Sequence, residues 1–334
     1  LFALEVGSPR LYGKFELQDS RAQLHDDASF LGTDDVNTVE PLQVHLGLRR
    51  SGLLAEGDRF ELKLGRITMD VGSRRLVARN RFRNTINAFT GLHASWTRPS
   101  RTRFQAFYTL PVSRLPNVLE IERLRDNAVQ LDQESLDLRF WGLHVEDPEW
   151  RGGLSADAYL LGLNESDQPR VPSANREHLT AGARISKENR QDRWSFEVES
   201  AYQYGESRST ALPADERDLD HRAWFAHGHL ARRFDGPGSP RLVLRYDYAS
   251  GDRHPDDDRN ERFDTLYGAR RFEFGPTGIY GALARTNISS PGLALYLEPR
   301  PRMDLLFGYR AAWLASRLDR FSLTGVRDPS GESG

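Results

Sequence analysis

Apolar residues recur at every second position through most of the chain, the period of a strand with one apolar and one polar face. Over 41–49, Leu42, Val44, Leu46 and Leu48 alternate with Gln43, His45, Gly47 and Arg49. Phe60, Leu62 and Leu64 are separated by Glu61 and Lys63, and Phe104, Ala106, Tyr108 and Leu110 share a face in 103–110. In 178–186, Leu179, Ala181, Ala183 and Ile185 oppose Thr180, Gly182, Arg184 and Ser186. In 241–248, Leu242, Leu244, Tyr246 and Tyr248 oppose Val243, Arg245 and Asp247. A last run over 304–315 sets Leu305, Phe307, Tyr309 and Trp313 against Gly308 and Arg310.

The run 194–204 says most about the environment. Trp194, Phe196, Val198, Tyr202 and Tyr204 face one way, and Ser195, Glu197, Glu199, Ala201 and Gln203 the other. Ten residues at about 3.3 Å each cover roughly 33 Å. Tilted by about 40°, such a strand projects to roughly 25 Å, the height of the apolar band of an outer-membrane barrel. The aromatics at both ends of the stripe fall where that band meets its two interfaces. A soluble sandwich strand, usually about 5–6 residues long, has no reason for that spacing. Trp194, Tyr204 and Trp313 are therefore expected to face lipid, and Arg184, Glu197 and Gln203 the interior.

Two kinds of connector separate the strands. Compact ones include Arg98-Pro99-Ser100-Arg101, Lys187-Glu188-Asn189-Arg190 and the run 235–240, whereas 20–40, 112–136, 164–177, 205–221 and 249–262 are long and charged. Short turns alternating with long loops match periplasmic turns and extracellular loops. The pattern predicts roughly twelve to fourteen strands in one all-β antiparallel transmembrane β-barrel domain spanning residues 1–334.

Composition changes this picture little. Mean hydropathy is −0.63, too polar for helical spans of about 20 apolar residues, but barrel strands hide their apolar face in alternation. The 46 Lys and Arg against 48 Asp and Glu give a net charge of −2, so a basic surface for nucleic acid is not supported. With no cysteine, disulfides and thiolate chemistry are excluded. Leu1 is no initiator and no signal-peptide pattern follows it, so a leader is expected to have been removed or the chain cut further in. The final run 327–334 reads as a loop, and strands are expected to be absent at both ends.

Two stretches carry a resemblance. Leu64-Gly65-Arg66-Ile67 is followed by Val71-Gly72-Ser73-Arg74-Arg75-Leu76-Val77, Arg83-Asn84 and Phe89-Thr90-Gly91. Tyr248-Ala249-Ser250-Gly251-Asp252 is followed by Arg262-Phe263-Asp264-Thr265-Leu266-Tyr267. In order and spacing they resemble the alginate-export family of outer-membrane barrels, with departures at Ile67 (Gln in the family) and Thr90 (Asp in the family). The resemblance implies a monomeric barrel of about eighteen strands with an arginine-lined constriction through which an anionic polysaccharide leaves the cell. It implies as surroundings membrane lipid and lipopolysaccharide, with periplasmic export-complex proteins as further partners. Nothing in the sequence asks for a cofactor.

Several residues are candidates for function. The apolar phase shifts from even positions through Leu64 to Ile67, Met69 and Val71. Either a bulge near Gly65 turns Arg66 inward, or the strand ends there. Arg75, Arg79 and Arg81 belong to a run that also holds Arg74 and Arg83, which could ring a pore for uronates or form a solvated loop against lipopolysaccharide phosphates. Arg49, Arg184, Arg245 and Arg310 lie on polar strand faces with Glu197, Glu199 and Asp247, so an arginine–carboxylate ladder that only satisfies buried charge is the default for most. His227 and His229 could form a metal pair but show no third ligand in sequence, and Asp256, Asp257 and Asp258 lack calcium-loop spacing. No hydrolase elbow, phosphate loop or metalloprotease helix occurs, and Glu197 with Glu199 imitates a glycosidase dyad only by proximity.

These observations favour passive export of an anionic, alginate-like polysaccharide through an anion-selective, porin-like channel of the bacterial outer membrane. A nutrient-uptake porin for small anions and a carbohydrate-active β enzyme are the alternatives.

Overall fold

The computed structural model describes residues 1–334 apart from 24–30, 82, 169–170, 189–191, 270, 275–282, 322–325, 327, 329 and 333–334. Asn189 and Arg190 of a compact turn, and Arg327, Pro329, Ser333 and Gly334 of the final run, thus lie outside the described residues.

Every strand belongs to one sheet. In chain order these are β1 (Phe2–Gly7), β2 (Leu11–Ser20), β3 (Asn37–Ser51), β4 (Arg59–Ile67), β5 (Phe89–Thr97), β6 (Arg103–Pro111) and β7 (Leu138–Arg151). Then follow β8 (Leu154–Glu165), β9 (Glu177–Lys187), β10 (Trp194–Ser207), β11 (Leu219–Arg233), β12 (Arg241–Ala249), the two-residue β13 (Arg259–Asn260), β14 (Ile288–Arg300) and β15 (Met303–Arg310). Except for β13, which lies parallel to β11, each strand pairs antiparallel with its sequence neighbours. Among the described residues, β1 and β15 each pair with one neighbour. All seven alternating runs fall on strands, except that the last stops at Arg310, leaving Trp313 bridged to Ser289 beyond it.

A meander sends alternate connections to opposite ends. The turns at 52–58, 98–102, 152–153 and 234–240 lie at one rim, and the long connections 68–88, 112–137, 208–218 and 250–287 at the other. Two one-turn helices, α1 (Ile121–Arg125) and α2 (Arg271–Phe274), sit within long connections. No helix among the described residues is long and apolar enough to cross a membrane.

Burial is inverted relative to a soluble sheet. On β10, Val198 and Tyr202 are 56% and 46% exposed, whereas Glu199 and Gln203 are 1% and 0% exposed. Leu46, Leu64, Leu92, Tyr108, Leu143 and Leu244 continue the exposed apolar face across the sheet. Trp194, Tyr204 and Trp313 all lie on it. A continuous apolar surface of this kind suits lipid and not water. The sheet is an outward-apolar barrel wall.

The principal apolar core lies inside that wall, at the long-connection end. Phe89, Phe107, Phe140, Leu161, Leu163, Phe225 and Ile288 point inward from strands and pack on Met69, Val71, Leu76, Val77 and Phe263 from the connections. There the strands are apolar on both faces, because folded connections and not water cover the inner one.

Gly65 settles the phase shift without a bulge. Its register is unbroken on both sides, with His45 and Gly91 as partners. Gly65 has φ +126° and Gly91 φ +156°, so the chain twists without an inserted residue. Arg66 still turns toward the interior, where it bonds Glu40 and Glu134.

Candidate functional site

Arg75 is the hub of a buried charge network. Carried on the 68–88 connection, it is 6% exposed and ion-paired with three carboxylates. Its Nη2 lies 2.6 Å from Glu197 and its Nε 2.7 Å from Glu273, and Nη1 donates to Glu199. Glu197 and Glu199 stand two apart on β10 and so share its inner face; Glu273 comes from α2. Burial opposes the Arg75 charge, but the carboxylates of Glu273, Glu199 and Glu197 outweigh it and hold the guanidinium firmly protonated.

The network spreads along the inner face. Arg184 on β9 bridges Asp157 (2.6 Å) and Glu197 (3.1 Å). Arg310 on β15 pairs with Asp247 on β12, and Arg285 reaches Glu273 at 2.6 Å. Tyr159 and Ser73 donate to Glu199 at 2.9 and 3.1 Å. His227 places Nδ1 2.6 Å from Asp247 Oδ1. Each of these buried charges faces an opposite one and so escapes the large cost of an uncompensated ion.

The other sequence candidates are placed differently. Arg66 and Arg79 lie toward the long-connection rim, Arg66 between Glu40 and Glu134 and Arg79 on Glu16 and Thr68. Arg81 is exposed. Arg49 sits near the opposite rim, half-exposed over the Tyr12 ring and paired with Glu5 and Glu61. Arg245 faces inward and donates to the Tyr296 hydroxyl at 3.1 Å; among the described residues it forms no ion pair with a carboxylate. Asp256, Asp257 and Asp258 enter no cluster able to hold a metal among the described residues.

Sequence reasoning missed Arg285, Glu273, Asp157 and Tyr159. Asp157 and Tyr159 lie on the inner face of β8, whose phase is masked by leucines on both faces. Glu273 and Arg285 lie on an irregular connection and carry no periodic signal.

The two motif stretches meet inside the barrel. Val77 and Tyr267 form a parallel bridge, with Ala78 N donating to Tyr267 O at 3.0 Å and Tyr267 N to Leu76 O at 3.0 Å. Tyr267 also packs on Phe89 and Phe140. Asp264 exchanges hydrogen bonds with the Gln203 amide on β10, both at 2.9 Å. Burial raises the Asp264 pKa, but Arg176 and His178 override it and bring the carboxyl to about 2. The 68–88 and 250–287 connections are thus joined to each other and to the wall by fixed charge and backbone pairing.

The family model described as "Alginate export" matches residues 4–334. No curated protein sequence matches the chain. Among solved structures, one similar fold is that of Wzi, an outer membrane protein involved in group 1 capsule assembly in Escherichia coli and described as a carbohydrate-binding β-barrel. That likeness has 9% identity and a TM-score of 0.39, and covers 93% of this chain and 66% of that one. Another is OmpT, an outer membrane protein of Vibrio cholerae, at 11% identity and a TM-score of 0.34, covering 93% and 88%.

Proposed function

The chain belongs to the alginate export family and is an outer-membrane β-barrel protein, and on that premise we propose that it passes an anionic polysaccharide through the barrel interior. The observation that carries the reading is the inner-face guanidinium set, Arg75, Arg184, Arg245 and Arg310, enclosed by a wall that is apolar outside. A guanidinium binds a uronate carboxylate in the same fork it offers Glu or Asp. An entering uronate can therefore exchange with an internal carboxylate without stranding either charge. Glu273 is suited to give way, because it belongs to a connection and not to the wall. It holds Arg75 and Arg285 through its side chain and Arg310 through its backbone carbonyl. Movement of the joined 68–88 and 250–287 connections would open a path and present these arginines together.

Arg245, with a hydroxyl and not a carboxylate as partner, offers an anion contact on the inner face. Block of single-channel current tests the reading. Uronate oligomers are expected to block the reconstituted protein at concentrations where neutral oligosaccharides of equal length do not. Equal block by both, or by neither, would favour the small-anion porin.

A further inference from the structure

His227 and His229 lie on the inner face of β11, and the register supplies what the sequence alone lacked. Glu197 on β10 stands directly opposite His229 and diagonal to His227. One donor atom from each of the three lies within 4.8 Å of the others. His227 is 4% exposed, and its Nδ1 is held 2.6 Å from Asp247 Oδ1. A carboxylate accepts only, so Nδ1 is the donor toward Asp247 and Nε2 is the ring atom left to meet a metal. That buried Nε2 has no hydrogen-bond partner and points at Glu197 Oε1, 3.6 Å away. An imidazole nitrogen without a hydrogen-bond partner, with a carboxylate and a second imidazole beside it, has the composition of a metal ligand set.

We propose that His227, His229 and Glu197 bind one divalent transition-metal ion of the zinc class on the inner face, with Asp247 as the positioning residue that orients His227. Two imidazoles and one carboxylate suit zinc and its neighbours and not calcium or magnesium, which take oxygen shells. Arg75 also contacts Glu197 Oε1, at 2.6 Å; it keeps Glu199 and Glu273 as partners when that oxygen turns to an ion. Arg184 steadies the other oxygen of Glu197 at 3.1 Å. The charges that oppose an ion here are those of Arg75 and Arg184 on Glu197 and of Arg245, opposite His229 on β12. Exposed Glu188 lies 3.2 Å from His229 Nε2 near the short-turn rim, which gives an ion an acidic route inward.

Calorimetric titration of zinc into the tag-free full chain, folded in detergent, is the test. One saturable site per chain is expected, weakened at least tenfold by His229→Ala and by His227→Asn, each checked for folding by heat-modifiable migration. Absence of saturable binding, or equal affinity in the folded double variant, overturns the site. Should the variants fail to fold, zinc-edge X-ray absorption of the wild-type protein decides. Two imidazole nitrogens at about 2.0–2.1 Å support the site, and an all-oxygen shell overturns it.

Discussion

Arg75 and Glu199 are 124 residues apart in sequence and in direct contact inside the barrel, one on a connection and the other on the wall. Replacing Arg75 by Ala leaves Glu197, Glu199 and Glu273 buried against one another. Loss of one partner from such a group costs about 3–5 kcal/mol. The variant is expected to lose its heat-resistant gel form at a lower temperature and to show higher single-channel conductance, because the 68–88 connection is unpinned. Adding Glu199→Gln should recover part of the stability. Unchanged melting and conductance would mean that the pair anchors nothing.

Gly65 carries a second expectation. A methyl group there would stand 2.4 Å from Val44 O, at a backbone with φ +126°. Gly65→Ala should destabilise the barrel by about 1–3 kcal/mol. Gly152→Ala, at a turn with open space around it, should cost about 1 kcal/mol or less. Unfolding in urea from detergent micelles compares them, and equal losses would contradict the close approach of β3 and β4 at Gly65.

Acidity should tighten the 112–137 connection. Burial, with Glu40 adding repulsion, raises the Asp132 carboxyl to about 7, and it accepts from Leu115 N at 2.9 Å and from Asn37 at 2.8 Å. Since the folded pKa lies above the unfolded one, the native form binds the extra proton. Stability is therefore greatest below about pH 4 and falls as pH rises to about 7, after which it levels. Protection of the Leu115 amide from hydrogen exchange, corrected for intrinsic rate, should fall from pH 5 to pH 8. Asp132→Asn should abolish that slope; a slope surviving the substitution would assign it to another group.

The outer face is open to direct assay. Spin labels at Val198 and Tyr202 should be quenched by lipid-soluble oxygen, and labels at Ala201 and Gln203 should not. Uniform access of a water-soluble quencher along 194–204 would contradict the membrane-spanning wall.

Much of that wall was legible in sequence, because alternation reports a face directly. The runs on β3, β4, β6, β9, β10, β12 and β15 were each visible. β8 was not, since Leu161 and Leu163 face inward and Leu160 outward, which erases the contrast. The resemblance pointed to Arg66 and Arg75 and to the stretch ending at Tyr267. It did not show that Leu76 and Tyr267 bond to each other, nor that Arg75 is caged by Glu273. Such contacts join distant connections whose order follows no period. The register across β10 and β11 likewise hid Glu197 from the histidine pair.

The central claim is that inner-face arginines select the anion that passes, and reversal potential in a salt gradient across a planar bilayer tests it most directly. Most of these arginines are matched by carboxylates, so the preference rests on unmatched Arg245 and on those freed when the connections move. Even about 1.4 kcal/mol of net attraction gives roughly tenfold preference. Chloride is expected to be favoured over potassium, less so at high salt, where screening shortens the reach of each charge. Arg245→Glu together with Arg184→Glu should lower or reverse the preference and relieve uronate block. A wild-type channel that prefers potassium and ignores both substitutions would contradict the export mechanism.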